Sequence, residues 1–174
     1  MTVSRDHFPD CECLGSATRF AEDVHAVIDH APLFDELSFQ EIEALFSFMV
    51  CYAGHRHTVL LREGERGDFL IVLLTGRAML SRLNPAGGNE LLGEVRPGSA
   101  LGEISMLDGT GRGATCIASE PVDFAVLDRQ ALDAILLTKP HLGSRFLLRM
   151  LQMFAAQVRT SREPGGASVF SALI

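Results

Sequence analysis

The chain has 174 residues, 47% hydrophobic and 21% charged, a balance that excludes wholesale disorder and fibrous architectures. At this length one core with appendages is expected. The formal net charge of −7 argues against non-specific attachment to nucleic acid or anionic lipid, because both depend on Lys and Arg neutralising phosphates.

No apolar run approaches the roughly 20 residues that span a bilayer. Met1 to Asp10 lacks a basic stretch followed by an apolar core, so a cytoplasmic location without membrane attachment is expected. The cysteines, Cys11, Cys13, Cys51 and Cys116, then read as reduced thiols. Cys11 and Cys13 are the only pair suggesting a metal clip or redox sensor. A structural zinc site wants four ligands, however, and His7 and His25 have no established spacing, so no metal is expected.

Residues 1–21 mix charges, Pro9, Gly15 and Ser16 without a sustained period and read as a loosely attached extension. A short helix is expected over Glu22 to His30. Ser38 with Glu41 three positions on forms a capping-box pattern, and Phe39, Ile42, Leu45, Phe46 and Met49 recur at helical spacing, predicting a helix from Phe39 to Val50.

From about 53 to 127 the pattern changes to short apolar or alternating runs separated by glycine turns. That is the signature of an antiparallel roll or barrel. Strands are expected at Val59 to Leu61, Phe69 to Leu74, Ala78 to Leu83 and Glu90 to Val95, with Asn84 to Asn89 as a hairpin loop. Val122, Phe124 and Val126 alternate at the end of the roll. The charged run from Arg62 to Asp68 reads as a solvated turn.

Asp128 is the expected N-cap of a helix through Ala131, Leu132, Ile135 and Leu136, which Lys139-Pro140 breaks. A longer helix is expected from His141 to Ser161, ended by Pro164-Gly165-Gly166, with residues 163–174 as a tail. The fold class is therefore mainly β: an eight-stranded, jelly-roll-like antiparallel β-roll with N-terminal helices and a long C-terminal helix. The core domain is expected over 22–162, its C-terminal helices over 128–162.

The stretch Gly102-Glu103-Ile104-Ser105-Met106-Leu107, followed by Asp108 to Gly111 and Arg112-Gly113-Ala114-Thr115, is the one that carries chemistry. Gly102 permits a tight turn, and Glu103 to Leu107 can form one helical turn whose free N–H groups favour an anion. Arg112, on the returning loop, can fork onto phosphate oxygens, and the small residues after it leave backbone donors accessible. A carboxylate such as Glu103 would be wasted on phosphate but suits a ribose hydroxyl. The elements together describe a sugar phosphate held in a small apolar roll.

These residues resemble the phosphate-binding cassette of the cyclic nucleotide-binding domain family, which includes the catabolite activator protein and regulatory subunits of protein kinase A. The resemblance extends over about 31–162, with Gly64, Gly67, Gly76 and Gly98 where the family's turn glycines are expected. It implies that Glu103 bonds the ribose 2′-hydroxyl and Arg112 the cyclic phosphate, with Gly102, Ile104, Ser105, Gly113 and Ala114 around them. Two positions depart from the family pattern. Gly113 stands where many members carry Ala, Ser or Thr, so a hydroxyl that could favour cyclic GMP is missing and cyclic AMP is expected. Gly111 replaces a common proline. The base would be capped from the C-terminal helix by Phe154, Gln157, Val158, Thr160 or Ser161.

The resemblance implies a non-enzymatic sensor with no cofactor, its ligand being cyclic AMP or cyclic GMP. An unknown protein partner or a homodimer through the surplus apolar side chains of 141–161 would carry the output. After that helix only Pro164 to Ile174 remain, so the chain by itself is not expected to bind DNA. The rival reading is an interaction module that kept the fold and lost the ligand. A cupin-like metal site on His55, His57 and Glu63 is set aside, because no histidine between His57 and His141 completes the ligand set. Neither a nucleophile elbow nor a Walker-type phosphate loop occurs in the sequence.

Overall fold

The computed structural model describes residues 7–20, 24, 31–84 and 87–160, excluding the side chains of Gln157, Val158 and Thr160. The helix expected over Glu22 to His30 lies outside the described residues except for Val24, which is buried. The expected tail and Ser161 also lie outside them.

The chain runs through β1 (Glu12–Ser16), a 3-10 turn (Ala17–Phe20), a second 3-10 turn (Pro32–Phe34) and α1 (Phe39–Phe46). The roll follows: β2 (Val50–Gly54), β3 (Val59–Leu61), β4 (Phe69–Thr75), β5 (Ala78–Leu83), β6 (Asn89–Val95) and β7 (Ala100–Leu101). Then come α2 (Glu103–Asp108), β8 (Thr115–Ala118), β9 (Val122–Asp128), α3 (Arg129–Thr138) and α4 (Pro140–Thr160). Strands pair antiparallel in two sheets, ordered β1-β2-β9-β4-β7 and β3-β8-β5-β6. Strands β2 to β9 make the expected eight-stranded roll, and β1 extends the first sheet.

The near-continuous apolar runs of β4 and β9 follow from burial on both faces, since successive side chains point to opposite sides of a strand. Phe69, Ile71, Leu73, Val122, Phe124 and Val126 face the roll interior with Tyr52, Leu80 and Cys116. Leu70, Val72, Leu74, Ala125 and Leu127 face the helices, where they pack with Phe46, Met106, Ile135, Phe146 and Met150. The sheet is thus a shared wall between two apolar clusters.

Three expectations are corrected. Residues 12–16 are not a loose extension: they form β1, hydrogen-bonded to β2. A register shift between Cys13 and Gly15 breaks the alternation by which the strand would be recognised in sequence. Helix α1 stops at Phe46 rather than Val50, because β-branched Val50 joins the sheet opposite Val126. Helix α4 begins at Pro140, whose missing N–H costs nothing in the first turn.

The caps agree with the sequence. Ser38 N donates to Glu41 Oε2 at 2.8 Å and Glu41 N to Ser38 Oγ at 3.3 Å, a complete capping box. Asp128 Oδ1 accepts from Ala131 N at 2.6 Å. Two arginines tie α4 back to this region: Arg145 Nη1 lies 2.7 Å from Glu41 Oε2, and Arg149 Nη2 lies 2.6 Å from Asp35 Oδ2. Among the described residues no helix is long and apolar enough to cross a membrane.

Candidate functional site

Gly102 sits between β7 and α2 with φ +83, the left-handed region in which a side chain is strained. This lets the chain leave β7 and enter α2 at once, placing Glu103 in the first turn, 2% exposed. At the other end of α2, Gly109 is again left-handed, and Arg129 Nη1 donates to the carbonyls of Met106 and Leu107 at 3.2 and 3.0 Å. The loop returning to β8 is held by the turn after β3. Gly64 N donates to Arg112 O at 2.8 Å and Arg112 N to Glu65 O at 2.9 Å, and Arg66 bridges Gly111. The run from Arg62 to Asp68, read as a solvated turn, therefore fixes the backbone that carries Arg112.

The Arg112 side chain is 5% exposed and lies in a socket. Nη1 donates to Gly102 O at 2.6 Å and Nη2 to Phe69 O at 2.8 Å, and Cζ stands 4.4 Å above the Phe69 ring. Glycine is required on two walls: a Cβ on Gly67 would come within 2.1 Å of Nη2, and one on Gly102 within 2.2 Å of Nη1. Burial pulls the guanidinium down to about 10, against the charges of Glu103, Asp68 and Glu65, which leaves it cationic near neutrality.

Both Glu103 carboxylate oxygens are buried without a hydrogen-bond partner. Burial pushes the carboxyl up to about 7; its own backbone N–H and the charge of Arg112 oppose the rise without cancelling it. A desolvated, unpaired carboxylate is costly unless a donor arrives.

Gly102, Glu103, Ile104, Ser105, Arg112, Gly113 and Ala114 line one hollow together with Leu61 and Leu80. The hollow is narrow, about 10 Å³. A larger cleft of about 380 Å³ also reaches Arg112 and is walled by residues 7–11, Leu61, Arg62, Arg66 and Phe69. Leu61, Leu80, Gly67 and Phe69 were not singled out as site residues in the sequence. The last two lie against the guanidinium, and no local pattern marks them, because a loop more than 40 residues along the chain supplies their neighbour Arg112.

Of the expected cap residues, Phe154 packs partly buried against the helix-side cluster and is not among the residues lining the hollow. The side chains of Gln157, Val158 and Thr160 and all of Ser161 lie outside the described residues. Cys11 is half-buried and Cys13 exposed, both as free thiols. Among the described residues no group of three or more His, Cys, Asp or Glu side chains is placed to hold a metal ion.

Comparison with known proteins agrees with this architecture. Residues 55–139 match the cyclic nucleotide-binding domain family. A crystal structure of a cyclic nucleotide-binding domain from Methylobacillus flagellatus KT is 40% identical, with a TM-score of 0.77; the match covers 88% of this chain and 86% of that one. The chain belongs to the cyclic nucleotide-binding domain family. A CRP-like cAMP-activated global transcriptional regulator of Mycobacterium tuberculosis is 33% identical over 95 residues, which are 55% of this chain and 42% of that protein. The acetyltransferase Pat of Mycolicibacterium smegmatis is 37% identical over 78 residues, covering 45% of this chain and 23% of that protein. The chain thus spans half or less of the length of these curated relatives.

Proposed function

We propose that this domain is a non-enzymatic, cytoplasmic sensor of a cyclic mononucleotide, cyclic AMP in preference to cyclic GMP. In this reading Arg112 binds the cyclic phosphate, Glu103 accepts from the ribose 2′-hydroxyl, and Gly102, Ile104, Ser105, Gly113 and Ala114 shape the pocket. The observation that carries it is the buried Glu103 carboxylate, whose oxygens lack a donor, sharing one small hollow with the Arg112 guanidinium. A ribose hydroxyl supplies the missing donor, and a phosphate supplies the anion. Further support comes from the Mycobacterium tuberculosis relative, whose name records activation by cAMP.

Ligand binding shifts only those conformations that differ in affinity for it. Arg129 joins the end of α2 to the start of α3, and Arg145 and Arg149 join α4 to residues 32–41. A change at the end of α2 therefore reaches α3 through Arg129, and α3 leads directly into α4. Leu148 and Leu151, 55% and 61% exposed on α4, suit a helix-paired homodimer or a protein partner. We assign the output to that face and no DNA binding to these residues alone.

A second reading, an interaction module without a ligand, is favoured by one feature: two carbonyls already accept from the Arg112 guanidinium. Calorimetric titration with cyclic AMP and cyclic GMP tests between them. Binding that Arg112→Ala abolishes supports the sensor; no heat with either nucleotide supports the module.

A further inference from the structure

Phe69 joins the cassette to a part of the chain that the sensor reading leaves without a role. Its carbonyl and ring hold Arg112. The same ring contacts His7, with centroids 4.8 Å apart, and meets Phe8 edge-on at 5.2 Å. His7 Nε2 also lies 3.3 Å from Asp68 Oδ1, directly before Phe69 in the chain. Phe8 is buried and touches Tyr52 and Phe124 as well, and Cys11 N donates back to Phe8 O at 3.1 Å. Residues 7–11 therefore form a compact strap seated on Phe69, and they wall the 380 Å³ cleft that reaches Arg112.

The cassette hollow, about 10 Å³, has room for about one water. A nucleotide phosphate consequently enters the cassette hollow only if its lining moves, and the guanidinium is the group it attracts. We propose that the strap from His7 to Cys11 reports occupancy of the cassette: a ligand that draws Arg112 off the Phe69 ring loosens the strap, and the seated strap in turn holds Arg112 in its socket. This inference rests on the cyclic nucleotide reading for its natural trigger, but the mechanical link between Arg112 and the strap can be tested without any ligand. Coupling of this kind is reciprocal, so a change that loosens the strap while leaving Arg112 and the cassette intact must also strengthen ligand binding.

Cys11 is a built-in reporter. It is half-buried against the roll cluster, and burial together with Asp10 raises its thiol to about 11. Loosening the strap exposes it and increases its thiolate fraction, and thiolate is the form that alkylates. Cys13, already exposed, and the buried Cys51 and Cys116 serve as internal references.

The experiment is site-resolved iodoacetamide labelling by peptide mass spectrometry on the full chain, in three samples. These are the protein alone, the protein with saturating cyclic AMP, and Gly67→Ala, whose Cβ would strike Nη2 and expel the guanidinium. The expected result is severalfold faster Cys11 labelling in the second and third samples, with Cys13 unchanged and Cys51 and Cys116 protected. Calorimetric heat with unchanged Cys11 labelling overturns the coupling while the sensor reading stands. Without binding heat the sensor reading fails, and the Gly67→Ala sample alone decides the coupling. Should that variant unfold, seen as labelling of Cys51 and Cys116, His7→Ala decides it from the other end through the labelling of Cys11 in variants of Arg112. In His7→Ala the rate should no longer respond to Arg112→Ala, and a response as large as in the parent chain overturns the coupling.

Discussion

Arg112 and Phe69 hold each other twice, through a 2.8 Å hydrogen bond from Nη2 to the Phe69 carbonyl and through the guanidinium lying 4.4 Å over the ring. The cation is therefore held on the wall shared by the cassette hollow and the cleft beside residues 7–11. Replacing the ring by an aliphatic side chain removes its contacts with Arg112, His7 and Phe8 together. Phe69→Leu is expected to lower stability by about 1 kcal/mol through the lost cation–π contact and altered packing, measured by urea denaturation.

Two glycines of the cassette make a matched pair of tests. Gly102 and Gly109 both have left-handed φ, +83 and +72, so alanine at either costs about 1–2 kcal/mol. A Cβ on Gly102 also collides with Arg112, whereas one on Gly109 meets nothing within 4 Å. Gly102→Ala should lose both stability and nucleotide binding; Gly109→Ala should lose stability and retain binding. Denaturation midpoints and calorimetry on the two variants check the contrast.

The pH dependence follows from Glu103. Its carboxyl is raised by burial from 4.5 to about 7, so between those values the native state holds a proton that the unfolded chain has released. The associated stabilisation is complete below pH 4.5 and is lost as the pH rises through about 7. Glu103→Gln should flatten the stability profile across that window. A ribose hydroxyl donating to the carboxylate favours its ionised form, so binding near neutral pH should release protons and tighten with rising pH. Both effects should vanish in Glu103→Gln, as calorimetry in buffers of different ionisation enthalpy will record.

At the helical end, Ser38→Ala removes one half of the capping box and should cost about 1 kcal/mol. Glu41 is held below the usual carboxylate range, chiefly by the Ser38 backbone N–H, with the Ser38 hydroxyl and Arg145 adding to it. A carboxyl lowered in the native state contributes stability above its unfolded value and loses it as the pH falls. Glu41→Gln should therefore flatten the acid limb of the unfolding profile.

On the exposed face of α4, lysine at both Leu148 and Leu151 should leave the fold intact and yield a monomer by light scattering. Unchanged mass for a dimeric parent would move the interface elsewhere.

Much of this was legible because local chemistry and global fold agree. The capping box at Ser38, the N-cap at Asp128 and the alternation of Val122, Phe124 and Val126 are short-range signals that survive in the folded chain. The cassette was legible for the same reason: Gly102 to Ala114 is one contiguous segment. What escaped is non-local. Strand β1 is disguised by its register shift at Cys13/Gly15, and the start of β2 by the helical spacing that runs on to Met49. Phe69 and Gly67 appear as a buried strand residue and a turn glycine until the fold sets Arg112 against them.

The central claim is that Glu103 and Arg112 form a cyclic nucleotide site. Its most direct test is calorimetric titration of the full chain with cyclic AMP and cyclic GMP, alongside Arg112→Ala. The account predicts saturable binding, tighter for cyclic AMP, that weakens at least about tenfold when the charge-assisted contacts of Arg112 are removed. Absence of heat with both nucleotides, or binding that Arg112→Ala leaves unchanged, would contradict it.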